Sequence, residues 1–452
     1  MNNSKILERI YIKGKLQAIS PLIIGSGEDQ NTDIDLIRDA DNIPFIPGTS
    51  LAGCTRHFLK NLMKDKDKGI VETVFGKKEK ESIQSLLMFF DSLPGDKSSY
   101  TTSVRDGIKL DYETKTVDFH KERKEKTGGA KYDYEIVEPG ALFEIKMEIV
   151  IRESILKDIE KDKIYDLVYW LLESLKDGKI HVGAKTRRGY GRINLIDSNI
   201  LKLDMKKEAD IKQWMSLDWK FKPNIDMSYF KTNKLNIEEN TGVNISASFR
   251  IPYSLLIRHY SIKPSDEDAA HLMSGENPVI PGTSWNGAIS HGIYNILMEL
   301  GYDESNFNQI KEDLFGIEKG KTPKASRIIF EESIIKDSTS ISYTRNKVDR
   351  FTGGVVDSAL FDEKPVYGGT TVLNTTIKEA KDWEVGLILL AIKDIGNGIQ
   401  SLGGDANIGR GILEAERKNI SVNNEPLTLE KEKFYFKKLY DYLNSIKGET
   451  NG

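Results

Sequence analysis

Ile46-Pro47-Gly48-Thr49-Ser50 recurs later in the chain as Ile280-Pro281-Gly282-Thr283-Ser284. A single short match can arise by chance, so the flanking sequence decides whether it marks a repeat. Four further features follow in the same order in both halves. Val74-Phe75-Gly76 corresponds to Leu314-Phe315-Gly316, and each is followed by an apolar strand that closes with an acid, Asp91 or Glu331. Next, Asp111-x-x-Thr114-x-x-Val117 corresponds to Asp349-x-x-Thr352-x-x-Val355, and Gly183-(x)5-Gly189-x-Gly191 corresponds to Gly403-(x)5-Gly409-x-Gly411. This ordered set predicts two copies of one domain.

The domain boundaries follow from where the repeated features begin and end. The two predicted copies span residues 8–200 and 243–418. Residues 201–242 between them are polar, and we interpret them as a linker with some local structure. Residues 419–452 are predicted to form a helical tail, because the stretch from Glu430 is amphipathic at helical spacing.

Each copy predicts the same order of secondary structure. It opens with alternating apolar and polar residues at 12–19 and 244–251, which is typical of a half-buried strand. A helix follows the Pro-Gly pair, with Thr49-Ser50 and Thr283-Ser284 as candidate N-caps. Middle strands, a second helix and a closing strand complete the copy. This is the split βαβ order, so we predict an α+β chain with two ferredoxin-like, RRM-like domains in tandem.

A polar insert interrupts each copy between its middle strands. Residues 111–139 are rich in basic residues around Gly128-Gly129, and residues 349–368 form a shorter counterpart around Gly353-Gly354. Basic and apolar residues around a Gly-Gly pair favour a protruding hairpin, with a surface loop as the alternative. Each domain is therefore predicted to carry an inserted thumb hairpin.

Composition excludes several classes of protein. The chain has 452 residues, of which 38% are hydrophobic and 30% charged, so it can bury a core and is not mainly disordered. No apolar run is long enough to span a bilayer. One cysteine, Cys54, excludes an internal disulfide and suits the reducing cytoplasm, where we expect the protein. The net charge of −4 disfavours a globally basic nucleic-acid binder but allows a local basic groove.

The glycine-rich loop that ends the first copy is the strongest candidate binding site. Glycine lets the backbone approach a ligand closely, and Tyr190 offers a face for stacking. The loop adds four cations that can hold phosphate oxygens: Lys185, Arg187, Arg188 and Arg192. A solvated basic turn is the alternative interpretation. The second copy keeps the glycine frame but has only Arg410, beside Asp405, so its phosphate grip is predicted to be weaker.

An acidic stretch precedes the Ile-Pro-Gly motif in both copies. It runs from Glu28 to Asp39 in the first copy and corresponds to Asp266-Glu267-Asp268 in the second. Carboxylates beside a phosphodiester can hold a divalent cation or orient a 2′-hydroxyl for attack, although composition alone favours a solvated acidic loop. No Cys/His cluster has zinc spacing, and no Ser/His/Asp set is recognisable in the sequence.

The helix-opening Ile-Pro-Gly-Thr-Ser, the Asp-Arg-Phe-Thr-Gly-Gly hairpin and the terminal glycine-rich loop resemble those of the RAMP superfamily of CRISPR-associated proteins. The resemblance covers both copies and is greatest to the repeated backbone subunit of type III effector complexes. The chain looks like a tandem fusion of two such subunits. This implies a prokaryotic antiviral protein whose partners are crRNA, target RNA, a large polymerase-like subunit, further RAMP subunits and small subunits.

The resemblance also implies which residues contact RNA. Each unit would grip the crRNA backbone with its glycine-rich loop and with the start of its first helix, where Ser50 and Arg56 lie. The hairpin would wedge between guide and target, which implicates Arg350, Phe351 and Thr352.

An aspartate in the loop before Ile-Pro-Gly would, by the same resemblance, cut target RNA with a divalent metal such as Mg²⁺ or Mn²⁺. Counting back from Arg38-Asp39 gives Asp33 as the catalytic residue and metal ligand, with Asp35 as the near alternative. In the second copy the alignment falls among Asp266, Glu267 and Asp268, so Asp266 and Asp268 are the catalytic candidates there.

Other functions stay open from the sequence. The chain could be a non-cutting structural subunit of the same assembly, or a guide-processing endoribonuclease of the same superfamily. Such enzymes commonly use a histidine-centred acid–base site, and His181 is the histidine beside the first glycine-rich loop. A module that does not bind nucleic acid is a further alternative.

Overall fold

The computed structural model describes residues 5–27, 32–77, 84–108, 131–238, 242–259, 267–317 and 323–449. The chain divides into two compact units. The first comprises Met1–Val104, Tyr134–Thr186 and Tyr190–Asn240, and the second comprises Arg105–Asp133, Arg187–Gly189 and Thr241–Gly452. The second unit therefore includes part of the first repeat's insert and the middle of its glycine-rich loop. No helix within the described ranges is long and apolar enough to cross a membrane.

The first repeat forms a four-stranded antiparallel sheet. Its elements, with the helix that follows them, are β1 (Ile6–Ala18), α1 (Gly48–Leu62), α2 (Lys68–Phe75), β2 (Leu87–Phe89), β3 (Thr102–Ile108), β4 (Lys131–Val137), β5 (Leu142–Arg152), α3 (Lys161–Lys176), β6 (Ile193–Asp204) and α4 (Glu208–Met215). The sheet order is β2-β5-β1-β6. Strands β3 and β4 form a separate two-stranded ladder at the base of the first insert, while residues 109–130 lie outside the described residues.

The second repeat builds the same sheet. Its elements are β7 (Val243–Arg250), β8 (Ser254–Leu255), β9 (Arg258–His259), β10 (Ala269–His271), β11 (Met273–Ser274), β12 (Asn277–Ile280), α5 (Gly282–Glu299), α6 (Glu304–Phe315), β13 (Ile328–Phe330), β14 (Ser333–Ile334), β15 (Thr339–Ser340), β16 (Tyr343–Val348), β17 (Val355–Lys364), β18 (Val366–Tyr367), β19 (Thr370–Ile377), α7 (Asp382–Gly396), β20 (Ile420–Val422), β21 (Glu425–Pro426) and α8 (Leu429–Glu449). The sheet order is β13-β19-β7-β20-β21. Both sheets place the first strand of the repeat in the centre, as the split βαβ prediction requires, so the ferredoxin-like fold is confirmed.

Each repeat buries its own hydrophobic core. Ile10, Ile12 and Leu16 lie on one face of β1 and belong to a buried cluster with apolar residues of α1 and α3. In the second repeat Phe249 of β7 stacks on Trp285 of α5, with the ring centroids 5.5 Å apart. The strand period of two and the helix period of 3.6 place these side chains on one face, which is why the sequence pattern specifies the core.

The Pro-Gly pair marks the start of the first helix in each repeat. Helix α1 starts at Gly48 with Pro47 as its N-cap residue, and α5 starts in the same way at Gly282. The prediction that Thr49-Ser50 and its counterpart cap these helices is therefore wrong. Glycine is required because a Cβ on Gly48 would lie 2.4 Å from the carbonyl oxygen of Phe89.

The structural alignment of the edge strands β2 and β13 differs by one residue from the alignment predicted from the sequence. The Oγ atoms of Ser85 and Ser326 play equivalent roles, since each donates to a carbonyl oxygen of the preceding helix at 3.1 Å. This match makes Glu332, rather than Glu331, the counterpart of Asp91. The connection after α6 is longer than that after α2, so counting from the glycine that ends each helix misplaces the acid.

The segment predicted as a linker packs on the first sheet. Strand β6 continues to Asp204, and the following aromatic residues join a cluster with Tyr11 on the face opposite the core. The rings of Tyr11 and Trp219 meet edge to face at 5.7 Å, and the guanidinium of Arg9 lies 4.6 Å from the ring centre of Trp214. This cluster covers the outer face of the first sheet.

A buried histidine holds the loops that precede α5. The ring of His271 accepts a hydrogen bond at Nδ1 from the Ile257 N–H at 3.2 Å, and its Nε2 donates to the carbonyl oxygen of Val279 at 3.1 Å. Burial lowers the pKa of His271 from 6.5 to about 4. The folded protein therefore keeps this imidazole neutral at physiological pH.

His271 should make the second unit less stable in mild acid. The unfolded chain takes up a proton at this residue below about pH 6.5, whereas the folded protein takes it up only near pH 4. The histidine should therefore remove about 2 kcal/mol of unfolding free energy between pH 7.5 and pH 5. Urea unfolding of the parent and of His271→Asn at both pH values measures this loss as the difference between the two proteins. A parent-to-variant difference that is the same at both pH values would contradict it.

Candidate nucleic-acid interface

The two glycine-rich loops have the same backbone path. Gly183 and Gly403 have φ of +87° and +84°, and Gly191 and Gly411 have φ of +78° and +75°. A Cβ on Gly183 would lie 2.0 Å from the carbonyl oxygen of Ile23. The glycines therefore serve close packing of the loop against the segment that follows the first strand.

The amides at the ends of these loops are already engaged. Ala184 donates its N–H to Ile23 and Gly191 donates to Pro21, both at 2.8 Å, and the second repeat repeats both bonds. These two amides in each loop therefore have no hydrogen left to donate to a phosphate, although glycine allows the backbone to approach a ligand closely. Side chains, rather than these amides, must supply a phosphate contact.

The four cations of the first loop differ in what they contact. The Lys185 ammonium lies 3.1 Å from the ring centre of Tyr134, and Arg192 donates Nε–H to the carbonyl oxygen of Gly178 at 3.0 Å. Arg188 is half-buried, and its carbonyl oxygen lies 2.4 Å from the position of a Cβ on Gly282.

Arg187 is the cation best placed for an anion. Its side chain is half-buried, and no carboxylate pairs with it in the part of the chain that the structure describes. Burial lowers the pKa of Arg187. Burial, together with the positive charge of Arg187, also lowers the pKa of Lys378, the residue after β19. The neighbouring carboxylate of Glu379 acts on the pKa of Lys378 in the opposite direction. Arg187 has no such carboxylate among the described residues, which favours a bound anion at Arg187.

Two predicted RNA contacts are buried and have other partners. Arg410 is 2% exposed and donates Nη2–H to Glu363 at 2.7 Å and Nη1–H to Asp405 at 3.2 Å. Tyr190 is 1% exposed, and its hydroxyl lies 3.0 Å from that of Tyr134. Both expectations are corrected, because a side chain enclosed in this way offers neither a free guanidinium to phosphate nor an open ring to a base.

The acidic loop of the first repeat lies along strand β4. The Glu135 N–H donates to the carbonyl oxygen of Ile34 at 3.0 Å, and Arg38 pairs with the Glu135 carboxylate. Within this loop Asp33 is exposed, whereas Asp35 accepts hydrogen bonds from the N–H and Oγ of Thr32 at 2.9 and 2.8 Å. Because the same chain segment anchors the glycine-rich loop through Ile23, the structure brings acid, loop and hairpin base together.

The second acidic loop is placed in a comparable way. Asp268 is exposed and accepts the Asp362 N–H of strand β17 at 2.9 Å. Its neighbour Glu267 accepts the hydroxyl of Ser342 at 2.8 Å. Asp266 lies outside the described residues.

The carboxylates near Asp33 suit a cation that is shared with a substrate. Among the described residues, no group of three or more His, Cys, Asp or Glu side chains could hold a metal ion. Mg²⁺ commonly uses one or two protein carboxylates and completes its shell with phosphate and water. Asp33 and Asp35 are the two carboxylates that this loop would contribute to such a site.

The start of helix α1 is occupied by a carboxylate. Asp91 accepts the N–H of Gly48 at 2.7 Å. Ser50 is half-buried and donates its own N–H to Pro47 at 2.9 Å, and Arg56 is half-buried on the next turn. A carboxylate here neutralises the positive helix end, so an anion at this end of the helix would have to be held by side chains.

The tip of the second hairpin is a well-defined turn. Asp349 accepts the N–H groups of Phe351 and Thr352 at 3.0 and 2.7 Å, and Gly353 has φ of +71°. Phe351 is 98% exposed, and Arg350 and Thr352 are also exposed. The turn therefore presents an uncovered aromatic ring at the end of two strands, which suits insertion between bases.

Sequence reasoning missed several residues of this interface. Lys378 sits in no motif, and only its place after β19 puts it beside Arg187. Tyr134 lies in the middle of β4 and Glu363 near the end of β17, and the partners of both depend on the fold. The sequence identified Asp91 as the acid that closes a strand. Its contact with the Gly48 N–H at the start of α1 depends on the fold, so its spacing in the sequence could not predict it.

A model of the RAMP superfamily matches residues 15–194 and 221–414. The first region covers β2 and β5 with the adjoining ends of β1 and β6, and the second covers β7, β13 and β19. Each region also contains the acidic loop and the glycine-rich loop of its repeat. No individual curated protein matches the chain significantly.

Removal of the Asp91 cap should weaken the first unit. Asp91→Ala leaves the Gly48 N–H without its acceptor, so the unfolding free energy should fall by about 1 kcal/mol. Asp158→Ala removes a carboxylate that is equally exposed but caps no α-helix, and should change it by less than about 0.5 kcal/mol. Chemical unfolding followed by circular dichroism measures both values. Equal losses in the two variants would contradict the capping role.

Proposed function

The chain belongs to the RAMP superfamily, and we propose that it is a backbone subunit of a type III CRISPR effector complex that binds crRNA and target RNA and cuts the target at fixed intervals. Membership of the superfamily supports a CRISPR-associated, RNA-binding function. The observation that carries the finer proposal is the occurrence, twice in one chain, of a glycine-rich loop and an acidic loop beside the base of an inserted hairpin.

Arg187 supplies the main side-chain contact to the guide backbone in this proposal. Its guanidinium is half-buried, and Lys378 adds a second positive charge nearby. A phosphate oxygen would give Arg187 the charged hydrogen-bond partner that the described residues do not provide, whereas Lys378 already lies near the carboxylate of Glu379. The second loop lacks such a cation because Arg410 is engaged by Glu363. The first repeat is therefore proposed to hold the guide more strongly than the second.

Phe351 acts as the wedge between guide and target. The ring stands free at the end of β16 and β17, and Asp349 holds the turn beneath it. Stacking of a base on an aromatic ring contributes roughly 1–3 kcal/mol, which offsets the loss of stacking in the opened duplex. Arg350 beside the ring can contact a phosphate of either strand.

Asp33 acts at the target phosphodiester in the first unit. In the proposed reaction the 2′-oxygen bonds to phosphorus as its proton passes to Asp33, and the bond from phosphorus to the 5′-oxygen breaks. The 5′-oxygen takes up a proton from water, so the products are a 2′,3′-cyclic phosphate and a 5′-hydroxyl. Asp33 is exposed and can orient the 2′-hydroxyl, while the bonds from Thr32 hold Asp35 in place behind it. A divalent cation bound by these carboxylates would stabilise the charge that develops on the phosphate. Asp268 is the corresponding candidate in the second unit.

Further RAMP subunits are proposed as partners because one repeat is built to receive elements of another. Within the second unit, Arg105 of β3 is 1% exposed and pairs with Glu332, with Nη2 and Oε1 3.3 Å apart. Gly189 lies so close to β13 that a Cβ would be 2.4 Å from the carbonyl oxygen of Phe330. Head-to-tail use of one such surface generates a filament. The large polymerase-like subunit and small subunits complete the proposed assembly.

Replacement of Asp33 should remove cuts from the target. In the effector complex assembled with crRNA and labelled target, Asp33→Ala should slow cleavage by the first unit by about 100-fold or more. Asp41→Ala removes an exposed carboxylate from the end of the same loop and should leave the products unchanged. Gel analysis under single-turnover conditions measures both. An unaltered ladder of products in Asp33→Ala would favour the non-cutting structural subunit, and a loss confined to Asp35→Ala would move the role to Asp35.

Replacement of Arg187 should weaken RNA binding in a salt-dependent way. Loss of one phosphate contact predicts that Arg187→Gln reduces the slope of log affinity against log salt by about 0.7 on single-stranded RNA. Lys212→Gln on α4, which removes an exposed cation paired with Glu208, is the matched control and should leave the slope unchanged. Fluorescence anisotropy of the full chain from low to moderate salt measures the slopes. Identical slopes for parent and Arg187→Gln would contradict the phosphate contact.

A further inference from the structure

A buried pair of side chains joins the glycine-rich loop to the base of the hairpin in each repeat. The loop partner stands between the last two glycines and is Tyr190 in the first repeat and Arg410 in the second. The strand partner is Tyr134 of β4 or Glu363 of β17. The two repeats thus make the same connection with different chemistry.

The ladder contacts show that the strand partners occupy equivalent positions. Val137, which bridges to Leu22, and Val366, which pairs with Leu255, follow the hairpin in the same way in the two repeats. The strand partner precedes each of these valines by the same number of residues. Chance placement of two buried pairs at the same two positions of one fold is therefore excluded.

In the first repeat the pair is neutral. Tyr134 and Tyr190 are almost fully enclosed, their hydroxyl oxygens are 3.0 Å apart, and their rings meet edge to face with centroids 6.1 Å apart. The Lys185 ammonium lies over the Tyr134 ring. The first glycine-rich loop therefore contacts β4 through the ring of Tyr190 and the ammonium of Lys185, both of which pack against the ring of Tyr134.

In the second repeat the pair is ionic and involves both hairpin strands. Arg410 donates to Glu363 of β17 at 2.7 Å and also to the hydroxyl of Tyr343 of β16. Arg345 of β16 places Nε 3.2 Å from the same Glu363 oxygen. From the loop, Asp405 accepts Nη1–H of Arg410 at 3.2 Å. Both strands of the hairpin therefore converge on a single loop residue.

We infer that Glu363 and Arg410 are positioning residues that fix the direction of the second hairpin relative to its glycine-rich loop, and that Tyr134 and Tyr190 make the corresponding contact at the base of the first insert. Beyond its base the second hairpin is exposed at Val348, Val355 and Leu360, so its own packing does not fix its direction. Because Phe351 lies at the far end of the hairpin, a small rotation at the base moves its ring farther than it moves the residues of the base. The consequence for RNA rests on the proposed function: the pairs keep a constant spacing between the guide contact and the wedge.

The first test needs no RNA. Spin labels at Thr352→Cys on the tip and Lys437→Cys on α8, in a Cys54→Ser background, report the direction of the hairpin in the full chain by pulsed electron resonance. Glu363→Gln keeps the shape of the side chain and removes the charge that Arg410 faces, so a narrow distance distribution should become broad or shift. Arg410→Met is a second variant that removes the other partner. Glu414→Gln disrupts the exposed Arg250–Glu414 pair and is the matched control.

The second test measures the consequence for RNA. A guide–target duplex with 2-aminopurine beside the wedge position becomes fluorescent when that base is unstacked. Glu363→Gln should lower this signal towards that of Phe351→Ala while the affinity for the duplex stays within about twofold of the parent, since no RNA-contacting residue has changed. Loss of folding alone would lower affinity and signal together.

The outcomes separate the two proposals. Distance distributions of Glu363→Gln and Arg410→Met that superimpose on the parent would overturn the inference, whatever the RNA does. Broad distributions in both variants, with a narrow one in Glu414→Gln, support it. Failure of the parent itself to bind the duplex would overturn the proposed function and leave the distance measurement to decide the positioning role.

Discussion

The interface depends on a close approach of two backbone segments that only glycine permits. A Cβ on Gly191 would lie 2.0 Å from the carbonyl oxygen of Val182, and one on Gly411 would lie 2.0 Å from that of Leu402. This contact folds the loop back on itself and presses it against the segment after the first strand. The same segment continues into the acidic loop, which Glu135 of β4 then holds. One steric constraint thus gathers the loop, the acid and the hairpin base at one end of the sheet.

Charge is distributed unequally over this common frame. The second loop neutralises its arginine internally, since Arg410 faces Glu363 and Asp405 in a nearly closed site. In the first loop Arg187 has no such carboxylate among the described residues, and burial holds its pKa below the usual value. An unpaired buried cation is costly unless an anion joins it. The glycine frame therefore fixes where each arginine lies, and the carboxylates around it decide whether the arginine has a partner within the described part of the protein.

The sequence was a good guide to features with a local physical cause. Glycines such as Gly48 and Gly183 mark backbone contacts that no other residue allows, so their recurrence located the repeat and the sheet order followed from strand and helix periods. The sequence was a poor guide to the burial and the partners of each charged side chain. Arg187 and Arg410 look alike in a loop sequence, yet one is half-open and the other enclosed by a strand that lies elsewhere in the chain. The helix cap by Asp91 was missed for the same reason, because its partner is distant in sequence.

Comparison of the two repeats separates geometry from chemistry within a single chain. Tyr134–Tyr190 and Glu363–Arg410 differ in charge, polarity and size, and yet each closes the same gap between loop and hairpin. A neutral pair thus stands in the first repeat where an ion pair stands in the second, so the common feature is a pair of complementary side chains and the charge matters only where the partner is itself charged. Arg410 therefore belongs to the framework, although its residue type is typical of a phosphate ligand.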